Sequence, residues 1–160
     1  MDFQKRLEKA VERGARRADD AAKAKAEQQM SEEELKRLYS HNRLELTDHI
    51  EACLAQLPNH FPGFRFETVV GDRGWGAAIS RDDLVLEAGR RSNFYSRLEV
   101  TVRPYSSYHV LELAAKGTIR NKEIYNRNHF QQLTQVDLTS FKELIDLWVL
   151  EYAELYAARQ

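Results

Sequence analysis

Apolar side chains in residues 31–57 recur three or four positions apart, which is the spacing of a helix that buries one face. The stripe consists of Leu35, Leu38, Tyr39, Leu46, Ile50, Cys53, Leu54 and Leu57. Ser31 and Glu34 precede it as a capping box, a pair that satisfies free backbone N–H groups at the start of a helix. Pro58 and Pro62 follow it, and neither can continue a helix. The pattern predicts a core-facing helix over residues 31–57.

From Gly63 the apolar period changes to two, which indicates β-strands. In residues 94–103, Leu98, Val100 and Val102 alternate with polar side chains. Short turns connect this strand to others at residues 64–70, 75–80, 108–119 and 123–133. Residues 84–93 fit a short strand or one helical turn, followed by a loop. Because parallel strands need long crossovers, the pattern predicts an antiparallel meander of four or five strands within residues 63–133.

The period of a helix returns in the last segment, residues 140–158. Ser140 and Glu143 form a second capping box. The apolar face behind it comprises Phe141, Leu144, Ile145, Trp148, Tyr152 and Leu155. An antiparallel sheet with one apolar face needs a cover, so residues 31–160 are predicted to form an α+β two-layer sandwich with two helices on one face. Six side chains should share the core: Leu46, Ile50, Leu98, Val100, Phe141 and Trp148.

Residues 1–30 predict a long helical arm, because this segment is rich in alanine and contains no proline. Phe3, Leu7 and Val11 form a short apolar stripe that continues only as alanine. Such a helix could join the next one into a single helix over residues 2–57, fray, or pack back on its own core. Our favoured hypothesis is that Phe3, Leu7 and Val11 bind a second copy of the chain or another protein.

Composition excludes several classes of protein. The net charge is −1, and no run of apolar residues is long enough to span a membrane. The charged N-terminus lacks the apolar stretch of a secretory signal. A single cysteine excludes intrachain disulfides and zinc sites built on several cysteines. We therefore expect a cytoplasmic protein with no membrane partner and no cofactor.

The segment VVGDRGWGAAIS, residues 69–80, raises the question of a phosphate-binding loop. Its glycines do not match a P-loop or a dinucleotide fingerprint, and a strand pattern follows it where those motifs need a helix. A tight hairpin is the better interpretation. Gly76 lies inside the strand pattern, where glycine often marks a bulge or a close backbone approach.

Candidates for chemistry are few. His41, Glu45 and His49 are four residues apart, as metal ligands on one helix would be, yet they also fit a solvated helix flank, which we favour. Cys53 falls within the apolar stripe, where a cysteine is usually inert. No catalytic or metal residue is predicted, although an enzyme site assembled from distant residues would leave no local signature.

Residues 88–130 carry eight basic and three acidic side chains. Strand alternation places several of the basic and aromatic side chains on the polar face of the sheet, with Ile124 and Phe130 toward the core. The candidate ligand face is Arg97, Arg103, Tyr108, Lys116, Tyr125, Arg127 and His129. Arginines and aromatic rings on a sheet can bind single-stranded nucleic acid or another anionic ligand. An ordinary solvated sheet face explains the same pattern.

Three functions are therefore open. The leading hypothesis is a non-enzymatic protein-interaction or adaptor module that self-associates through its N-terminal helix. The alternative is a nucleic-acid or anion binder that uses the basic sheet face. An enzyme with a dispersed site is the third.

Overall fold

The computed structural model describes residues 2–28 and 31–159, so Met1, residues 29 and 30 of the predicted arm, and Gln160 lie outside it. Within these ranges, four α-helices and five strands follow one another in the order helix, helix, helix, sheet, helix, with a 3₁₀ turn at Leu133–Gln135 before the last helix. Their bounds are α1 Phe3–Gln28, α2 Glu32–Leu54, α3 Leu57–His60, β1 Arg65–Gly71, β2 Gly74–Glu87, β3 Arg90–Val102, β4 Val110–Ile119, β5 Lys122–Gln132 and α4 Leu138–Ala158.

The strands form one open sheet in which each strand pairs antiparallel with the next along the chain, in the order β1-β2-β3-β4-β5. Helices α2 and α4 pack on one face of this sheet. The predicted α+β two-layer architecture is therefore confirmed. We call the side of the sheet away from α2 and α4 the open face.

The core lies between the helices and the sheet. All six side chains expected there are buried in one cluster: Leu46, Ile50, Leu98, Val100, Phe141 and Trp148. Tyr125 spans the layers, since its hydroxyl donates to the backbone oxygen of Trp148 at 3.1 Å. Tyr152 does the same in the opposite direction by donating to the oxygen of Thr118 at 2.8 Å. Burial of these apolar side chains is the main force that holds the two layers together.

The start of α2 follows the sequence pattern. Ser31 has an extended backbone and its Oγ accepts a hydrogen bond from the backbone N–H of Glu34 at 3.2 Å. An extended residue at this position separates α2 from α1, which decides against one helix over residues 2–57. The end differs from the prediction, because α2 stops at Leu54 and Pro58 then lies in the first turn of α3. Proline is tolerated there because the first N–H groups of a helix have no intrahelical partner.

The start of α4 differs from the prediction. The N-cap is Asp137, whose carboxylate accepts from the N–H groups of Thr139 at 3.1 Å and Ser140 at 3.4 Å. The predicted cap, Ser140, is already inside the helix, where its hydroxyl donates to the backbone oxygen of Asp137. Both Asp137 and Ser140 are residue types that suit an N-cap. The Oγ of Ser140 is already engaged, because it accepts a hydrogen bond from the side chain of Gln131 at 3.0 Å.

The ambiguous segment, residues 84–93, belongs to the sheet. β2 and β3 extend as a long hairpin that turns at Ala88 and Gly89, both with positive φ. The short strand is therefore confirmed, whereas the helical turn is wrong and the expected loop is only the turn at Ala88 and Gly89. Arg120 and Asn121, also with positive φ, form the two-residue turn between β4 and β5. Asn121 ties this turn to the long hairpin, because its side chain accepts from Tyr95 N at 2.8 Å and donates to Asn93 O at 2.7 Å.

The glycine-rich segment is a hairpin, as the sequence predicts. Asp72 and Arg73 form the two-residue loop between β1 and β2. Gly74 has a φ of +131°, which side chains rarely adopt. At Gly76 an added Cβ would lie 2.0 Å from the carbonyl oxygen of Val100. The predicted close backbone approach at Gly76 is thus confirmed.

Candidate functional site

The arm, which we define as α1, presents the apolar residues predicted to bind a partner. Every side chain that the structure describes in α1 is exposed. Phe3, Leu7 and Val11 are 68%, 49% and 64% exposed. They lie four residues apart and therefore on one side of the helix. We call these three residues the arm stripe.

The candidate ligand face is only partly assembled. Arg97 and Lys116 lie on the open face, because their strand neighbours Leu98 and Ala115 point into the core. Arg103, just past the end of β3, is exposed. Tyr108 is 84% exposed but belongs to the loop between β3 and β4. These four residues are consistent with the predicted surface, although their binding of a ligand stays a prediction.

The placement of Tyr125, Arg127 and His129 on that face is wrong. They pair with Gly117, Ala115 and Leu113, whose side of the sheet is covered by the helices. Each has a partner in α4: Tyr125 donates to Trp148, Arg127 forms an ion pair with Glu151, and His129 packs edge-on against Phe141 with ring centroids 5.1 Å apart. The Arg127 guanidinium also keeps the pKa of Glu151 below its ordinary value.

Phe130 is correspondingly on the open face, 63% exposed, where the sequence placed it in the core. The physical reason is that α4 offers β5 polar partners, namely a carboxylate, a carbonyl and a hydroxyl. Polar side chains on β5 can therefore face the helices at no cost in unpaired groups. In β5, apolar alternation therefore does not identify the side of the strand that faces the helices.

The remaining cations of the candidate ligand face do not form a strongly positive surface. Arg97 donates to Glu67 at 2.6 Å and to Glu99 at 3.1 Å. Two adjoining grooves of about 260 Å³ and 690 Å³ share Arg73 and Arg103. Their charged residues are three basic and three acidic: Arg73, Arg103, Lys116, Asp72, Glu99 and Glu112. This balance weakens the case for a polyanion ligand, since affinity for phosphates rests on unpaired positive charge.

A mostly apolar groove of about 480 Å³ lies in the helical layer, where α3 and the end of α2 meet α4. We call it the helical groove. Its apolar lining is Leu57, Phe61, Val149, Leu150 and Ala153, and Cys53 and Asp146 also line it. Leu150 is 65% exposed. An open apolar groove of this kind is typical of a surface that receives a helix or a ligand.

Next to this groove, side chains of α2 and α4 form a polar cluster of His49, Cys53 and Asp146. His49 Nε2 lies 2.7 Å from Asp146 Oδ1. Cys53 Sγ lies 3.3 Å from the same Oδ1 and 3.6 Å from His49 Nε2. Sequence reasoning missed this cluster. It assigned Cys53 to the apolar stripe and compared His49 with residues on its own helix only.

Of those other residues, His41 is exposed on the flank of α2, and Glu45 accepts a hydrogen bond from Lys142 at 3.1 Å. His41, Glu45 and His49 line one polar groove, but among the described residues they do not form a group of metal-ligand atoms. The i,i+4 spacing of His49 and Cys53 is the signal that the sequence did carry, because it places both on one side of α2. Nothing in the sequence pairs Asp146 with them.

The cluster does not have the arrangement of a nucleophilic catalyst. Burial and the hydrogen bond to Asp146 raise the pKa of the Cys53 thiol to about 11. The thiol is therefore protonated near neutral pH, whereas reactive cysteines are activated by a lowered pKa. Asp146 and Cys53 also contact the same nitrogen of His49, so Asp146 does not orient a histidine base from its far side as in a triad.

Comparison of the chain with protein-family models, with curated proteins and with solved structures finds no match in any of the three. In the part of the chain that the structure describes, no helix combines the length and apolarity needed to cross a membrane.

Proposed function

We propose that this protein is a non-enzymatic interaction module whose binding element is the arm and whose partner is a second copy of the chain. The observation that carries the proposal is the exposure of the arm stripe, Phe3, Leu7 and Val11, on a 26-residue helix. Isolated helices are only marginally stable in water. Helices in proteins owe most of their stability to the packing of an apolar face. A partner that covers the arm stripe would therefore stabilise the arm as a helix.

We propose that the arm docks in the helical groove of the second copy. The groove is lined mainly by apolar side chains, which suits the arm stripe. Charge favours the same pairing. Residues 2–17 carry six basic and three acidic side chains, whereas α2 carries three basic and six acidic, and α4 one basic and four acidic. A positive arm is thus attracted to a negative helical layer.

Pairing of two arms with each other is less favourable. The segment that holds the arm stripe has a net charge of +3, so parallel arms would repel. Beyond Val11 the stripe continues only as alanine, and the arm lacks leucine or isoleucine at repeated a and d positions. Reciprocal exchange of arms buries the stripe twice and gives a closed dimer.

Sedimentation equilibrium measures the association directly. The full chain should form dimers with a dissociation constant in roughly the micromolar range, as expected for a small apolar seam. A chain that begins at Ser31 should be monomeric. Its free energy of unfolding, extrapolated to a dilute monomer, should be unchanged, because the described side chains of α1 are exposed.

A charge-matched pair of variants separates the stripe from the rest of the arm. Leu7→Gln with Val11→Gln should weaken dimerisation at least about tenfold, while glutamine preserves helix propensity. Lys9→Gln with Glu12→Gln lies about 140–160° around the helix from Leu7 and keeps the net charge, so it should leave dimerisation unchanged. Equal association of the full chain and both variants would refute the arm as the binding element.

The groove is tested by cross-linking through Leu150, which lines it and is 65% exposed. A Leu150→Cys, Cys53→Ser variant is mixed with a Leu7→Cys, Cys53→Ser variant and treated with a short bifunctional maleimide. Links between position 7 and position 150 are expected. The control mixture contains Lys9→Cys with Cys53→Ser, which should give few links. A product dominated by links between two copies of position 7 would favour arm pairing instead.

The proposed location of this module is the cytoplasm. It rests on the single cysteine, which gives no intrachain disulfide.

A further inference from the structure

Three metal-ligand atoms of different kinds converge where α2 packs against α4. The imidazole Nε2 of His49, the thiol Sγ of Cys53 and the carboxylate Oδ1 of Asp146 all lie within 4.8 Å of one another. The His49 side chain is 27% exposed and that of Asp146 is 49% exposed. Two ligands one helical turn apart, joined by a third from a neighbouring helix, form a recurrent arrangement of metal sites on helices.

We propose that His49, Cys53 and Asp146 form a binding site for Zn²⁺. Thiolate sulfur, imidazole nitrogen and carboxylate oxygen are the three donors that protein zinc sites use, and Zn²⁺ displaces the proton of the Cys53 thiol into solvent when it binds. Mg²⁺ and Ca²⁺ prefer oxygen ligands throughout, so a site with a thiol and an imidazole selects against them. None of the three ligands belongs to the arm, so the site does not require the proposed dimer, but both proposals use the helical groove that Cys53 and Asp146 line.

The spacing of the three atoms fits a tetrahedral ion. With bonds of about 2.3 Å to sulfur and about 2.0–2.1 Å to nitrogen and oxygen, ligand atoms stand roughly 3.3–3.6 Å apart. The distances from Sγ, 3.6 Å to Nε2 and 3.3 Å to Oδ1, already agree. The 2.7 Å between Nε2 and Oδ1 is a hydrogen-bond distance and must widen by about 0.6 Å. The half-exposed Asp146 side chain has the freedom to make this change.

Three protein ligands leave one tetrahedral position for an outside ligand. Cys53 and Asp146 line the helical groove, so this position is reached from solvent through the groove. A water molecule is the ordinary occupant of a fourth position of this kind. The bound ion would also tie α2 to α4 and stabilise the helical layer.

Cobalt titration of the full chain provides the test. Co²⁺ replaces Zn²⁺ in tetrahedral sites and gives a thiolate-to-metal absorption band that reports on Cys53 directly. Native protein should develop this band with one equivalent of Co²⁺ and lose it when Zn²⁺ is added. His49→Gln, Cys53→Ser and Asp146→Asn should each weaken Zn²⁺ binding at least about tenfold, with the thiolate band absent from the Cys53 variant.

Two matched controls come from neighbouring donors. His41 and Asp48 line a polar groove together with His49 but are not members of the cluster. His41→Gln and Asp48→Asn should bind Zn²⁺ as the native protein does. Equal losses in these controls would show diffuse surface binding and overturn the site, as would native affinity in the His49 or Asp146 variant.

Measurements on the native protein decide the question even where a variant fails to fold. X-ray absorption of the Zn²⁺ form should show one sulfur at about 2.3 Å with nitrogen and oxygen at about 2.0–2.1 Å. At a hundredfold excess of Zn²⁺ over its dissociation constant, the melting temperature should rise by about 5–10 °C. Absence of a thiolate band, or of sulfur from the zinc shell, would refute the proposal.

Discussion

A Cβ added to Gly76 would stand 2.0 Å from the carbonyl oxygen of Val100 and 2.9 Å from the Cα of Thr101, both in the neighbouring strand. These contacts are with backbone atoms, which cannot rotate away as the end of a flexible side chain can. The absence of a side chain at Gly76 is therefore what allows β2 and β3 to pair at this point. Gly71 differs, since nothing lies within 4 Å of a Cβ placed there.

Gly76→Ala should consequently lower the free energy of unfolding by at least about 3 kcal/mol, because β2 and β3 must move apart to admit the methyl group. The matched control, Gly71→Ala, should change it by less than about 1 kcal/mol. Urea denaturation of the two variants measures both values. Similar stabilities would mean that the strands do not approach as closely at Gly76 as described.

Single residues also show where local sequence is insufficient. His49 and Cys53 are recognisable as neighbours on one helix, but Asp146 lies 97 and 93 residues away from them along the chain. No periodicity connects residues at that separation. The contact depends on how α2 and α4 are placed on the sheet.

Helices α2 and α4 begin at caps that are determined in different ways, one by local sequence and the other by a tertiary contact. The capping box at Ser31 is local, and its Ser31–Glu34 hydrogen bond forms as expected. The start of α4 offers two candidate caps, Asp137 and Ser140, which are both good N-cap residues. The contact from β5 through Gln131 leaves Asp137 as the cap.

Asp137→Ala should therefore destabilise the protein by about 1 kcal/mol, because two N–H groups at the start of α4 lose their acceptor. Glu143→Ala removes the acidic partner of the capping box predicted at Ser140. Since Glu143 is exposed, this change should stay within about 0.5 kcal/mol. Thermal unfolding followed by circular dichroism compares the two. A larger loss of stability in Glu143→Ala than in Asp137→Ala would indicate that Ser140 is the N-cap.

At the scale of the whole molecule, tyrosines join the helical layer to the sheet. The hydroxyl of Tyr39, on α2, donates to the backbone oxygen of Arg103 at the end of β3. Burial raises the pKa of Tyr39 to about 12. Burial raises the pKa values of Tyr125 and Tyr152 as well. A neutral, protonated phenol is thus required at these junctions.

Stability should fall at alkaline pH for this reason. The pKa of Tyr39 in the folded state lies above the unfolded value of about 10, so its contribution is complete below pH 10 and is lost as pH rises toward 12. Between about pH 9.5 and 11.5 the loss from Tyr39 alone should approach about 2 kcal/mol. Urea denaturation across this range should show the decline.

Tyr39→Phe isolates this contribution. The variant should be less stable than native protein near pH 8 by about 1 kcal/mol, because the oxygen of Arg103 loses its donor. The difference should shrink as pH rises and change sign at about pH 11, since the variant has no phenol at this position to ionise. A difference that stays constant with pH would contradict the assignment to Tyr39.

Short-range sequence patterns are enough to predict α1, α2 and α4, the antiparallel meander and the six core residues. These follow from short-range periodicity: apolar stripes such as that of α2, alternation in β3, and turns such as Asp72–Arg73. Burial of apolar area is non-directional, so in these elements the apolar stripe is enough to identify the side that faces the core. For the same reason, Leu46, Leu98 and Trp148 could be assigned to one core without knowledge of the tertiary structure.

Tertiary contacts, and not local pattern, determine which side of β5 faces the helices and which residues α4 contacts. Tyr125, Arg127 and His129 face the helices because α4 supplies a carbonyl, a carboxylate and an aromatic ring opposite them. Hydrogen bonds and ion pairs are directional and need a partner in the right place, so polar residues can be satisfied inside as well as outside. The His49–Cys53–Asp146 cluster depends on the same condition. Its three side chains come within bonding distance of one ion only after folding has brought α2 and α4 together.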